Sequence, residues 1–169
     1  FDVVIVATGA STFKPEIKGA EDPAVLDPLE VLDGRIPEGK DIIVCGAGLV
    51  GCEVAMFLAE RSKNVTMVDM LPDVAPDMPI YTKWVLKSKL AEMHINVKTN
   101  HKIIAMTGNK VQCETDSGNQ EYQGDAVVCA LGLKSNRTLL KQLRAECKGI
   151  EIIPVGDVNS PRKIMQATH

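Results

Sequence analysis

The sequence predicts an α/β protein built on a parallel β-sheet, with an antiparallel β insertion. Short apolar runs over residues 42–45 and 65–68 have the length of buried strands. Helical patterns follow them over 49–61 and 80–93. Such alternation is typical of parallel sheets, because each crossover helix covers one face of the sheet. A hairpin-like pair of short strands about Gly108 then interrupts the alternation and predicts the insertion.

A glycine-rich turn directly follows the first of these strands. Its residues are Gly46, Ala47, Gly48, Leu49, Val50 and Gly51, in the pattern G-x-G-x-x-G. Gly46 allows the tight turn, Gly48 lets a pyrophosphate approach the backbone, and Gly51 allows the helix to pack closely on the strand. The start of the helix offers free N–H groups and a partial positive charge to phosphates. The motif therefore predicts dinucleotide binding in a Rossmann-like sheet.

An acidic residue, Asp69, closes the second strand, 23 positions after Gly46. At this distance a carboxylate can accept hydrogen bonds from the ribose hydroxyls of a dinucleotide. The same carboxylate would repel a 2′-phosphate, so the sequence favours NADH over NADPH. Two other interpretations of the glycine motif stay open. The turn could only pack a helix on a sheet, or it could bind adenosine as in a methyltransferase.

The remaining segments continue the pattern on both sides of the motif. Residues 2–7 predict a buried parallel strand, and 11–39 an ordered loop with at most one helical turn, around 29–32. Within the helix over 80–93, the apolar positions include Trp84, Leu86 and Leu90. Predicted strands cover 95–98, 103–106, 111–115, 119–122, 125–130 and 151–155, and predicted helices cover 136–144 and, after Pro161, 164–168.

Composition and charge exclude several classes of function. The net charge of −3 over 169 residues leaves no basic surface for nucleic acid. No apolar run approaches the roughly 20 residues that cross a bilayer, so no membrane partner is expected. The five cysteines lack C-x-x-C spacing and the three histidines lack metal-ligand spacing. This pattern predicts inert thiols in a reducing, cytoplasmic location and no metal site.

Four glycine-ended segments stand in a characteristic order: VIVATGA, VCGAGLVGCE with the later Asp69, VVCALG and IIPVGD. This order resembles the FAD- and NAD(P)-dependent pyridine nucleotide-disulfide reductase group of flavoproteins. More narrowly, residues 55–60, the exit at 69–71 and the segment 156–164 are similar to the C-terminal reductase region of NADH:flavin oxidoreductases related to old yellow enzyme. That group includes the 2-enoate and 2,4-dienoyl-CoA reductases.

The resemblance implies cofactor contacts position by position. Gly46, Gly48, Gly51 and Asp69 match the NAD-binding pattern, Val50 and Glu53 match positions near the nicotinamide, and Gly132 matches a turn that faces the nucleotide. Thr8, Gly9 and Gly156-Asp157 match turns that contact the flavin. Each has a simpler interpretation as well. Glu53 suits the first turn of any helix, and Asp157 or Thr8-Gly9 could serve as a cap or a turn.

The resemblance also implies a domain organisation and an activity. Residues 1–37 would be a partial FAD-domain segment and a linker, 38–130 would be the NAD-binding domain, and 131–169 would be a second partial segment of the FAD domain. NADH would pass a hydride to FAD, and electrons would go onward to a second cofactor or to an enoate-like substrate. We assign no general acid or base. The chain is expected to belong to a longer polypeptide, whose other part could hold an FMN barrel and an iron–sulfur cluster.

Two alternatives accompany this expectation. As an alternative function, the chain could be an isolated NAD(H)-binding module without activity of its own. Separately, the sequence leaves open whether the protein forms a homo-oligomer. Partners other than NADH and the rest of the parent polypeptide are not predicted by any motif of the sequence.

Overall fold

A computed structural model describes residues 1–161 and divides the chain into two compact units. The central unit is Lys14–Gly132, and the terminal unit combines Phe1–Phe13 with the chain from Leu133 onward. The predicted helix over 164–168 lies outside the described residues. Residues 14–37, which the sequence assigned to an FAD segment, belong to the central unit.

The elements alternate along the chain much as predicted. The strands are β1 (Val3–Val6), β2 (Ala10–Thr12), β3 (Val25–Leu26), β4 (Asp41–Cys45), β5 (Asn64–Val68), β6 (Asn96–Lys98), β7 (Lys102–Met106), β8 (Lys110–Thr115), β9 (Gly118–Gln123), β10 (Ala126–Cys129), β11 (Leu133–Ser135) and β12 (Glu151–Pro154). The helices are α1 (Pro28–Leu32), α2 (Leu49–Ala59), α3 (Ile80–Glu92) and α4 (Thr138–Glu146).

A five-stranded parallel sheet forms the centre of the central unit, in the order β3-β10-β4-β5-β6. Strands β7, β8 and β9 form a separate antiparallel sheet. After this insertion the chain returns to the parallel sheet through β10, which lies beside β4. The predicted α/β class, a parallel sheet with an antiparallel β insertion, is therefore confirmed.

Both faces of the parallel sheet are covered, which explains why its strands are continuous apolar runs. Ile42 and Val44 of β4 pack on one side with Val54 and Leu58 of α2. The alternate residues of β4 pack on the other side with residues of β7 and β8, namely Ile103, Val111 and Cys113. The antiparallel insertion thus covers the face that a second layer of helices would otherwise cover.

The terminal unit is built on β1 and β12, which form a two-stranded parallel sheet. Strand β1 is parallel as predicted, but the prediction that it is buried is wrong for most of its length. Val3 is 45% exposed and Ile5 is 67% exposed, and only Val6 is fully buried. The reason is that β12 is the one strand paired with β1 in the described part of the chain, and α4 covers a single face with Leu140.

Two further details differ from the sequence pattern. The segment predicted as a loop over 11–39 contributes the short strands β2 and β3 as well as α1, and β3 joins the parallel sheet at its edge. On α3, Leu86 and Leu90 are buried, whereas Trp84 is 71% exposed. Apolar residues occur on both sides of this helix, so periodicity alone does not identify its buried face.

Candidate functional site

The predicted glycine turn joins β4 to α2 and owes its shape to two of its glycines. Gly46 has φ +104, a conformation that disfavours any residue with a Cβ. A Cβ on Gly46 would also collide with the carbonyl oxygen of Ala130. A Cβ on Gly51 would collide with the carbonyl oxygen of Gly46. Gly46 and Gly51 are therefore required by the fold, whether or not a nucleotide binds.

Gly48 is different, because a Cβ at this position would meet no atom of the described part of the chain within 4 Å. Its backbone, with φ −70 and ψ −174, is accessible to every residue type. Gly48 is also the N-cap residue of α2, and no side chain of residues 1–161 caps this helix end. Helix N–H groups beside open space form a site suited to a phosphate. The fold gives no reason for glycine here, whereas the approach of a ligand does.

Asp69 lies directly beside the turn and is only 8% exposed. Its Oδ2 accepts a hydrogen bond of 2.6 Å from the N–H of Ala47, and its Oδ1 accepts one of 2.8 Å from the N–H of Leu71. A carboxylate has about four acceptor positions, so these two bonds leave capacity for ribose hydroxyls. Contact with the turn itself was not predicted from the sequence.

The glycine turn after β4 and the turn at Gly132 after β10 follow the carboxyl ends of two adjacent parallel strands. Cys129 is the register partner of Cys45, and the N–H of Ala130 donates to the carbonyl oxygen of Cys45 at 2.7 Å. The glycine turn after β4 and the turn at Gly132 after β10 are therefore neighbours. In the sheet, β5 lies on one side of β4 and β10 lies on the other, so the order of the strands reverses at β4. Ligands of open α/β sheets bind at such a switch point.

The first turn of α2 contributes residues of contrasting environment. Glu53 is exposed, while Leu49 and Val50 are partly buried. Cys52 is buried, and its thiol donates a hydrogen bond of 3.6 Å to the carbonyl oxygen of Ala47. Burial, followed by the nearby charges of Asp69 and Glu53, raises the pKa of the Cys52 thiol to about 11. Cys52 is therefore a packing residue with a neutral thiol.

In the terminal unit the predicted flavin-contacting turns are joined by one polar segment. The Thr8 hydroxyl donates to the carbonyl oxygen of Asn136 at 2.8 Å, and the N–H of Asn136 donates to the carbonyl oxygen of Gly9 at 2.9 Å. The Ser135 hydroxyl donates to the carbonyl oxygen of Asp157 at 2.7 Å. Thr8, Gly9 and Gly156-Asp157 are thereby held by residues 135–137.

Sequence reasoning missed residues 135–137 as structural partners of these turns. Arg137 completes the segment by donating from Nε to the carbonyl oxygen of Val158 at 3.1 Å. The only available signal was a short polar run, Ser135-Asn136-Arg137, between an apolar run and a helical pattern. In the described part of the chain, no group of three or more His, Cys, Asp or Glu residues could hold a metal ion. No helix there is both long and apolar enough to span a bilayer.

Comparison with known proteins identifies the family. A sequence profile described as pyridine nucleotide-disulphide oxidoreductase matches residues 1–161. The chain belongs to this family. The resemblance inferred from the four glycine-ended segments is thus confirmed, and the family implies FAD and NAD(H) as cofactors.

Individual relatives agree with this family assignment. The chain is 34% identical over 98% of its length to an NADH oxidase of Thermoanaerobacter brockii, and 35% identical over 94% of its length to a bilirubin reductase of Mediterraneibacter gnavus. Its fold is similar to that of a 2-naphthoyl-CoA reductase, with a TM-score of 0.91 and 25% identity over 99% of the chain. The chain covers 26%, 24% and 26% of these proteins, respectively. It therefore spans about a quarter of the length of the relatives that it matches.

Proposed function

We propose that this chain is the nucleotide-binding part of an NADH-dependent flavoprotein oxidoreductase. The observation that carries the proposal is Gly48, where a Cβ would meet open space at the start of α2. The turn Gly46, Ala47, Gly48, Leu49, Val50 and Gly51 would bind the pyrophosphate of NADH, with Val50 and Glu53 near the nicotinamide. Gly132 would face the nucleotide. Asp69 would accept hydrogen bonds from the ribose.

The terminal unit would supply contacts to FAD. Thr8, Gly9, Gly156 and Asp157 lie on two turns that residues 135–137 hold in place. Gly9 has φ +66, and a Cβ there would meet no atom of residues 1–161 within 4 Å, which supports the approach of a ligand to the backbone at this turn. When both cofactors are bound, NADH supplies the hydride that reduces the flavin; the protein positions the two cofactors and excludes competing reactions.

For the complete protein we propose an organic acceptor of the enoate or enoyl-CoA type. Similarity to proteins named as a cinnamate reductase and a 2-naphthoyl-CoA reductase supports this class of acceptor. The alternative is that the chain acts only as an NAD(H)-binding module. The two differ in the complete, flavin-loaded protein, which would pass electrons from NADH to an artificial acceptor only under the first proposal.

Calorimetric titration with NADH and then NADPH tests the nucleotide site. We expect NADH to bind at least tenfold more tightly, a difference of about 1.4 kcal/mol. Equal binding would contradict the assigned role of Asp69, and binding of neither would contradict the nucleotide site itself. S-adenosylmethionine serves as the control ligand, because its binding in place of NADH would support the methyltransferase interpretation.

A further inference from the structure

The connection between β5 and α3, residues 69–79, contains a strained alanine. Ala75 has φ +40 although it is not glycine, and it is only 2% exposed. It also precedes Pro76, and a residue before proline is restricted to more extended conformations. Backbone strain of this kind persists only when the surroundings enforce it, and it is concentrated at functional sites. The contacts of Ala75 indicate what the strain serves.

The N–H of Ala75 donates a hydrogen bond of 2.8 Å to the carbonyl oxygen of Ala47 in the glycine turn. That carbonyl shares a planar peptide group with the N–H of Gly48. In a trans peptide the C=O and the N–H point in opposite directions. A bond that holds the Ala47 carbonyl toward Ala75 therefore directs the Gly48 N–H away from Ala75.

The preceding peptide group of the turn is fixed as well. Its N–H, on Ala47, donates to Asp69. The two peptide groups on either side of Ala47 are thus both held by residues outside the glycine motif, one by Asp69 and one by Ala75. The orientation of the turn is consequently set before any ligand is present.

The connection is itself anchored, which allows it to enforce the strain. Val74 is buried in the main core of the central unit. Asp73 forms ion pairs with two lysines of α3, at 2.6 Å to Lys87 and 3.8 Å to Lys83. Lys83 also donates to the carbonyl oxygen of Pro76 at 3.2 Å. Residues on both sides of Ala75 are therefore fastened to the core and to α3.

We propose that Ala75 is a positioning residue for the dinucleotide site. Its N–H aims the N–H of Gly48 at the pyrophosphate, and the ion pairs of Asp73 with α3 keep it in place. The inference rests on the proposed function, because it assigns to Ala75 the preorganisation of the same NADH site.

Paired substitutions at Ala75 provide the test. Ala75→Gly keeps the N–H and accepts the positive φ, so the NADH dissociation constant should stay within about twofold of wild type. Ala75→Val disfavours the positive φ, since a β-branched residue rarely adopts it, and should weaken NADH binding by about tenfold or more. Ser62→Val is the matched control, because Ser62 has φ +60 in the connection between α2 and β5. It should leave NADH affinity unchanged.

A folded Ala75→Val variant that binds NADH as tightly as wild type would overturn the proposal. If that variant does not fold, Lys87→Met decides, because Lys87 is half exposed and its loss removes the shorter of the two ion pairs of Asp73, leaving only the 3.8 Å pair with Lys83. We expect about a threefold loss of NADH affinity, against no loss for Lys89→Met on the same helix. An unchanged affinity in Lys87→Met would then overturn the proposal.

A spectroscopic measurement separates this inference from the proposed function. In the nucleotide-free chain, the Ala75 amide hydrogen should exchange slowly with solvent. Ala75→Val should shift the Gly48 amide resonance from its wild-type position, whereas Ala75→Gly should leave it unchanged. If wild type binds no NADH, the proposed function fails, yet slow Ala75 exchange and a shifted Gly48 resonance would still support positioning. Fast exchange of the Ala75 amide in wild type would overturn it.

Discussion

The glycines of the turn after β4 serve two different purposes. Gly51 is glycine because the helix approaches the strand too closely for a Cβ, which would meet the carbonyl oxygen of Gly46. Gly48 has open space around it and an ordinary backbone conformation. A single substitution at each position can therefore separate folding from ligand binding.

We expect Gly51→Ala to lower the free energy of unfolding by about 1–3 kcal/mol, as overpacking typically does. Gly48→Ala should leave the free energy of unfolding within about 0.5 kcal/mol of wild type, because nothing obstructs the new methyl group. The same methyl group would occupy the space proposed for the pyrophosphate and should weaken NADH binding at least tenfold. Urea unfolding and calorimetry measure the two effects. Normal NADH binding by Gly48→Ala would contradict the placement of the phosphate.

Asp69 acts on the turn as well as on the proposed ribose, so its removal should have two effects. Asp69→Ala should reduce the preference for NADH over NADPH, because the repulsion of a 2′-phosphate is lost. The substitution should also weaken the binding of both nucleotides, because the buried N–H of Ala47 loses its hydrogen-bond acceptor and the turn is no longer held in place. The loss of an acceptor for a buried N–H lowers the free energy of unfolding by about 1–3 kcal/mol. Parallel titrations give both quantities; an unchanged ratio of affinities would refute the ribose contact.

The cysteines differ in accessibility, which predicts a simple pattern of reactivity. Cys45, Cys52, Cys113 and Cys129 are buried, and Cys147 is partly exposed. Burial raises the pKa of Cys113, like that of Cys52, to about 11, so few thiolates form there in mildly alkaline buffer. A thiol–disulfide reagent should therefore modify one thiol per native chain rapidly. Rapid modification of more than one thiol, or of one in Cys147→Ser, would disprove this assignment.

Adjacent strands of the parallel sheet are joined at their amino ends by Asp125, just before β10. Its carboxylate accepts hydrogen bonds of 2.6 Å from the N–H of Lys40 and 2.9 Å from that of Asp41, the first residue of β4. These two hydrogen bonds hold the pKa of the Asp125 carboxyl below its usual value of 3.8, and the bond from Asp41 has the larger effect. Strands β4 and β10 are thus joined by the Asp125 carboxylate at their amino ends, and by the hydrogen bond from the N–H of Ala130 to the carbonyl oxygen of Cys45 at their carboxyl ends.

A pH dependence follows from the direction of this shift. A carboxyl whose folded pKa is lowered stabilises the fold above its unfolded pKa, and the stabilisation disappears as the pH falls through the lower folded value. Wild type should therefore lose stability as the pH falls below about 4–5. Asp125→Asn should be less stable than wild type at neutral pH and should lose less on acidification. Thermal unfolding across this range provides the measurement, and parallel curves for both proteins would count against it.

The two compact units differ in how much core each possesses. The central unit contains both large clusters of buried residues. Among residues 1–161, the core of the terminal unit consists of Val6, Leu140 and Val158 with a few partly buried neighbours. A two-stranded sheet is marginally stable by itself. Consequently, the site proposed for NADH lies on a well-packed unit, and the contacts proposed for FAD lie on a sparsely packed one.

This contrast predicts how the chain behaves when it is purified by itself. We expect it to bind NADH but to retain no stoichiometric FAD after purification. It should accordingly fail to oxidise NADH in the presence of an artificial electron acceptor. Absorbance in the visible range and an NADH consumption assay test both statements. A yellow, active chain would show instead that the turns at Gly9 and Asp157 suffice to hold the flavin.

The parts of the fold that follow from local sequence were predictable. The apolar run of β4, the spacing of the glycines and the closing acid Asp69 all lie within thirty residues, and their order predicted the strand, turn and helix of the dinucleotide motif. What could not be predicted depends on distant partners. The two-residue strand β3 exists only because β10 lies beside it. The role of Ala75 arises from its hydrogen bond to Ala47, and that of Asn136 from its hydrogen bond to Gly9. No local sequence pattern predicts either bond.

The exposed position of Trp84 has a practical consequence for spectroscopy. It is the single tryptophan of the chain, and its indole is largely in water while the protein is folded. Its fluorescence should consequently emit at long wavelengths in the native state and change little in colour on unfolding. Indole emission overlaps the absorption of reduced nicotinamide, so quenching of Trp84 by energy transfer would instead report the arrival of NADH. The chain therefore carries an intrinsic optical probe of ligand binding rather than of folding.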